Sequence, residues 1–148
     1  MSPAASTSGT RQNALDALRA AQSALAGGAN LAEFKRYHLE AKVKVDALPV
    51  SPTNAPLRKT SDMYSDGVTM LIAAQIQEMS GDEFQHLKAK YASDPLAATL
   101  FVQFGSNIPD SGFGAQQSRF LRSLAAADAK AIGQGLLELA GQNLTAIK

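Results

Sequence analysis

Glu83-Phe84-Gln85-His86 sets a carboxylate and an imidazole three residues apart, so a helix would present both on one face. This is the Glu-x-x-His pattern with which helix bundles hold a pair of iron or manganese ions. A complete site of that kind needs a second such pattern and two further inward carboxylates. The chain has two histidines, and the other, His38, has Lys35 rather than glutamate three residues before it. Glu83 also closes the capping box Ser80-Gly81-Asp82-Glu83, which gives its type and place a structural reason. Metal binding through Glu83 and His86 stays as an alternative reading: a mononuclear site would borrow His38 beside His86, with Glu83 or Asp82 as the third ligand. The expectation is that the chain holds no metal and no cofactor and has no catalytic residue.

His38 is the second candidate, because a buried imidazole can donate a proton or bind a ligand. It falls on an apolar stripe, and no carboxylate partner can be assigned to it. The reading is therefore a side chain at the edge of the core, bonded to a backbone carbonyl or to water. Other chemistries lack their residues. With no cysteine there is no disulfide, thiol nucleophile or thiolate-bound metal. No serine stands in a Gly-x-Ser-x-Gly context, and no glycine-rich phosphate loop follows a strand. Gly112-Phe113-Gly114 and Gly133-Gln134-Gly135 are bare glycine pairs that suit turns and packing. Net charge is +1, and Arg58, Lys59, Arg119 and Arg122 are too sparse for a nucleic-acid surface.

The elements that must position these residues are helices. Residues 11–26 carry Leu15, Leu18, Gln22 and Leu25 at helical spacing, widened by Ala14, Ala17, Ala21 and Ala24. Gly27 and Gly28 end that helix, and Asn30 with Glu33 opens the next. Leu31, Phe34, His38, Ala41, Val45 and Leu48 then share one face, up to Pro49. The short link makes residues 11–48 an αα-hairpin. Prolines 49, 52 and 56 break the chain before a third helix, capped by Asn54, whose stripe runs Leu57, Thr60, Tyr64, Val68, Leu71, Gln75 and Met79. Gly67 inside it allows a close crossing by a neighbour. The capping box at Ser80 suggests a fourth helix from Asp82, after a kink rather than a full loop, with Phe84, Leu87 and Tyr91 inward. Asp94-Pro95 starts a fifth, 96–104, apolar on nearly every side and so expected to be buried. The last is expected from about Phe113 to Ile147, with Phe120, Leu124, Ala127, Ala131, Leu136 and Leu139 inward. Gly133, Gly135 and Gly141 should weaken it, and one of them should kink or end it.

The run ALDALRAAQSALAGGANLAEFKRYHLEAKVKVDALP resembles a pattern in small exported bacterial proteins. The matching positions are Leu15, Leu18, Gln22, Ser23, Gly28, Asn30, Phe34, Tyr37, Ala41, Lys42, Val45 and Asp46, within residues 14–48. The resemblance implies an exported helical protein, periplasmic or secreted, and carries no activity with it. The first ten residues have no apolar or basic signal region, which fits either a chain whose signal has been removed or a cytosolic start.

The expectation is thus an all-α bundle of five or six helices, a disordered tail over residues 1–10 and a single domain over 11–148. The longest apolar run, 68–74, is far short of the ~20 residues that span a bilayer. In function the chain reads as a non-enzymatic protein acting by protein–protein interaction, its partner unnamed and a homodimer open. The alternatives are the metal reading on Glu83 and His86, and a small-molecule or lipid binder. The latter would use an apolar cavity lined by Met63, Met70, Phe101 and Phe104.

Overall fold

A computed structural model describes residues 3–108 and 123–147. Among them are six α-helices and no strand: α1 (Pro3–Ala26), α2 (Leu31–Asp46), α3 (Ala55–Ile76), α4 (Gly81–Lys90), α5 (Pro95–Phe104) and α6 (Ser123–Ala146). A 3-10 turn, Gly105–Asn107, follows α5. The all-α class is as expected. None of the described helices is long and apolar enough to cross a membrane. The first helix begins at Pro3 rather than Arg11: proline is favoured in a helix's first turn, and Ala4 and Ala5 have high helix propensity.

The caps were written locally, and they form. Gly28 takes a φ of +92°, the left-handed conformation that glycine adopts without strain. Asn30 then accepts the Glu33 amide at 2.9 Å, and α1 and α2 pack on each other as the expected hairpin. Asn54 sits at the cap position of α3, where its carbonyl accepts the Arg58 amide at 3.1 Å. Its side-chain amide donates to the Pro49 carbonyl and ties the proline-rich turn together. Ser80 accepts the Glu83 amide at 3.1 Å and Asp94 the Ala97 amide at 3.3 Å, opening α4 and α5.

Between α3 and α4 the chain makes a full turn, not the expected kink. The helix stops at Ile76, and Gln77 takes a φ of +55°, which lets the Glu78 amide reach back to the Ala73 carbonyl at 3.2 Å. Met79, expected to extend the stripe of α3, is buried from this turn instead.

The chain divides into two compact units, Met1–Ser65 with Ala140–Lys148, and Asp66–Leu139. Both boundaries fall inside helices, within α3 and within α6, and not at the proline-rich break. In the first unit the core is Leu15, Leu18 and Ala21 of α1, Phe34, Ala41 and Val45 of α2, Leu57, Met63 and Tyr64 of α3, and Leu144 of α6. In the second it is Met70, Phe84, Leu87, Tyr91, Phe101, Ile132, Leu136 and Leu137.

Two expectations about helix faces are corrected. α5 is not buried all round: Ala97 and Phe101 are inside, while Leu96 and Val102 stand 64% and 72% exposed. Apolarity alone does not bury a helix; it needs a neighbour on each side. α6 continues as helix through its glycines to Ala146, and its inward face is turned from the expected one. Ala125, Ala129, Ile132, Leu136 and Leu137 are buried, while Leu124 is exposed. The reason is close approach in the second unit: a Cβ on Gly133 would lie 2.9 Å from the Gly67 carbonyl oxygen. The glycines select the face, and Gly67 marks the close crossing its position suggested. Phe113 and Phe120, expected in this last helix, lie outside the described residues.

Candidate functional site

Glu83 and His86 share the outer face of α4, and both are exposed. Ser80 holds the Glu83 backbone amide, as the capping box requires. No group of three metal-ligating side chains occurs among the described residues, so the third ligand that the metal reading needs is missing there. A nearby polar cluster was not foreseen. Asp66 of α3 accepts the Tyr91 hydroxyl at 2.5 Å and pairs with Lys90 at 2.8 Å. The partners are more than twenty residues apart, and no local spacing announces them. The cluster ties α3 to the end of α4.

His38 is 3% exposed and inside the core, deeper than the core edge where it was expected. Its Nε2 lies 3.0 Å from the Ser61 carbonyl oxygen, the backbone partner that was expected. A carbonyl only accepts, so Nε2 carries a proton. Burial holds its pKa below the usual 6.5; the bond to Ser61 opposes that shift, and the Lys42 charge adds to it. Phe34 stacks along the ring, with centroids 6.1 Å apart, and Tyr64 lies tilted against both. Burial also pushes the Tyr64 hydroxyl well above its ordinary value, and it donates to Gln22 Oε1 at 2.5 Å. This is a packed aromatic cluster whose two polar rings bond inward, His38 to Ser61 and Tyr64 to Gln22. It has the chemistry of a core.

The first unit also holds an open groove of about 750 Å³. Arg11 of α1 and Lys59 of α3 line it, with Thr60 and Asn143 as polar neighbours and Pro56 and Ile147 among its apolar walls. None of the four residues expected to line a cavity does so here. Met63, Met70 and Phe101 are buried as core, and Phe104 is half-buried.

The remaining feature is apolar surface. On α2, Leu39 and Val43 are exposed one turn apart, on the face away from Phe34 and Val45. On α5 the exposed face is Pro95, Leu96, Thr99, Val102 and Gln103. The helix has no charged residue, and the Thr99 hydroxyl is already bonded to the Pro95 carbonyl at 2.8 Å. Leu96 and Val102 stand about 120° apart around the helix, on either side of Thr99. No family model, curated protein or solved structure matches the chain.

Proposed function

We propose that this is a non-enzymatic helical protein, exported from a bacterial cell to the periplasm or beyond, which acts by protein–protein contact. Export rests on the resemblance of residues 14–48 to small exported bacterial proteins. The non-enzymatic reading rests on the candidate side chains: His38 is enclosed by Phe34, Tyr64 and the Ser61 carbonyl, while Glu83 and His86 stand in water.

The observation that carries the interaction is the outer face of α5, an uncharged surface with two large apolar side chains in water. Single exposed apolar residues are ordinary on protein surfaces. A ten-residue helix with no charge at all and only two residues buried is less so. The partner this face fits first is a second copy of the chain. A two-fold contact brings a surface against itself, so a charged face would repel its copy, and this one has no charge to do so. Covering Leu96 and Val102 on both copies is worth roughly 4–8 kcal/mol. Against an association cost of ~4–15 kcal/mol, that supports a weak, reversible contact.

Sedimentation velocity over a wide range of protein concentration tests it. The expected result is a shift from monomer toward dimer as concentration rises, abolished in a Leu96→Asp, Val102→Asp variant that keeps its helical circular dichroism. A wild-type chain that stays monomeric throughout, or a variant that still associates, overturns this reading of α5.

A further inference from the structure

We infer that the groove of the first unit is a binding site for a small amphiphilic anion, an acidic headgroup carried on a short apolar chain. Its size falls within the range of ligand pockets, at about 750 Å³. Among the described residues its lining contains two cations, Arg11 and Lys59, and no acidic residue. Both side chains have contacts of their own, and what they bring to the groove is their charge. The first turn of α3 also forms part of the wall, through Ala55 and Pro56, and the N-terminal end of a helix favours negative charge.

The hydroxyl of Thr60 is what points to a ligand. Thr60 lines the groove, is 1% exposed, and its Oγ1 makes no hydrogen bond. A threonine inside a helix ordinarily bonds to the carbonyl four residues back. Two others in this chain do: Thr99 to Pro95 at 2.8 Å and Thr145 to Gly141 at 3.0 Å. Thr60 leaves that bond unmade, which keeps a buried donor available beside two cations. Asn143, across the groove, gives its side-chain amide to the Met63 sulfur at 3.7 Å, a weak acceptor that an anionic oxygen would readily replace. The headgroup thus lies among Arg11, Lys59 and Thr60, and the chain runs along Pro56, Ala146 and Ile147. The site shares no residue with the α5 surface and does not depend on it.

The test is nuclear magnetic resonance titration of the full chain with decanoate, decanol, acetate and decyl phosphate, each below its micellar concentration. Decanoate is expected to shift the methyl signals of Ala55, Ala146 and Ile147, and to bind more tightly than decanol, which lacks the charge, or acetate, which lacks the chain. Decyl phosphate reports which headgroup the site favours, and tighter binding of either anion than of decanol supports the proposal. Lys59→Gln, at an exposed position, is expected to weaken decanoate about threefold. Thr60→Val keeps the side chain's shape and is expected to weaken it about tenfold, with the melting temperature held or raised. Neither anion binding better than decanol, signals that shift away from the groove, or an anion that binds Thr60→Val as it binds wild type overturns the proposal.

Discussion

Alanine at Gly133 should destabilise the chain, even though alanine is the better helix former. The new Cβ would stand 2.9 Å from the Gly67 carbonyl oxygen and 2.9 Å from Leu71 Cγ. Unstrained non-bonded atoms sit at about 3.5–4.0 Å, so the crossing must open by roughly half an ångström. One obstacle is backbone, which cannot turn aside. Overpacking of this kind costs about 1–3 kcal/mol, and the helix propensity gained offsets about 1 kcal/mol of it. The net expectation is a loss of up to ~2 kcal/mol. Gly135 supplies the control, two residues on in the same helix. The nearest atoms to its Cβ would all belong to the Leu100 side chain, the first at 2.6 Å, and a half-buried leucine can rotate away. Gly135→Ala should therefore be near neutral. Urea unfolding followed by circular dichroism measures both, with equal slopes confirming that the same transition is compared. A Gly133→Ala chain as stable as Gly135→Ala, or more so, would refute the close crossing.

Three further outcomes follow from the same contacts. Because burial lowers the pKa of His38, the unfolded chain binds that proton more readily than the folded one. Its contribution to stability is full above about pH 6.5 and is lost as pH falls from there toward the lowered folded value; unfolding curves across this window should show the loss, and a His38→Gln chain should lack that part of it. Phe34→Ala should cost ~3–5 kcal/mol and His38→Ala less, because the phenylalanine is the larger apolar side chain; the reverse order in chemical denaturation would mean the Ser61 bond matters more than the packing. Gln77→Gly should raise the melting temperature, since a left-handed backbone costs a non-glycine residue ~1–2 kcal/mol, and an unchanged or lower value would count against the φ of +55°.

What the sequence showed well was whatever lies within a few residues. The caps at Asn30, Ser80 and Asp94 are three-residue events, and each forms as read. The stripe Phe34, His38, Ala41, Val45 is buried because one helix face is a local periodicity. Depth is not local: the period placed His38 on the inward face and could not say that Phe34 and Tyr64 would enclose it. The face of α6 was misjudged because counting apolar side chains passes over glycine, whereas Gly133 faces inward for having no side chain. α5 was misjudged the opposite way, since its apolarity carried no information about how many neighbours it has. The turn at Gln77 left no mark, because a non-glycine residue there hides its conformation. The groove joins residues 11, 59, 60 and 143 from three helices, and no spacing along the chain brings them together.

The interaction proposed for this chain stands on the outer face of α5, and concentration-dependent amide hydrogen exchange tests it most directly. Wild-type protein at low and high concentration should differ in the peptide covering residues 95–104, which gains protection as copies associate, while peptides from α2 do not. Protection of that peptide unchanged by concentration, or gained on α2 instead, would contradict the account.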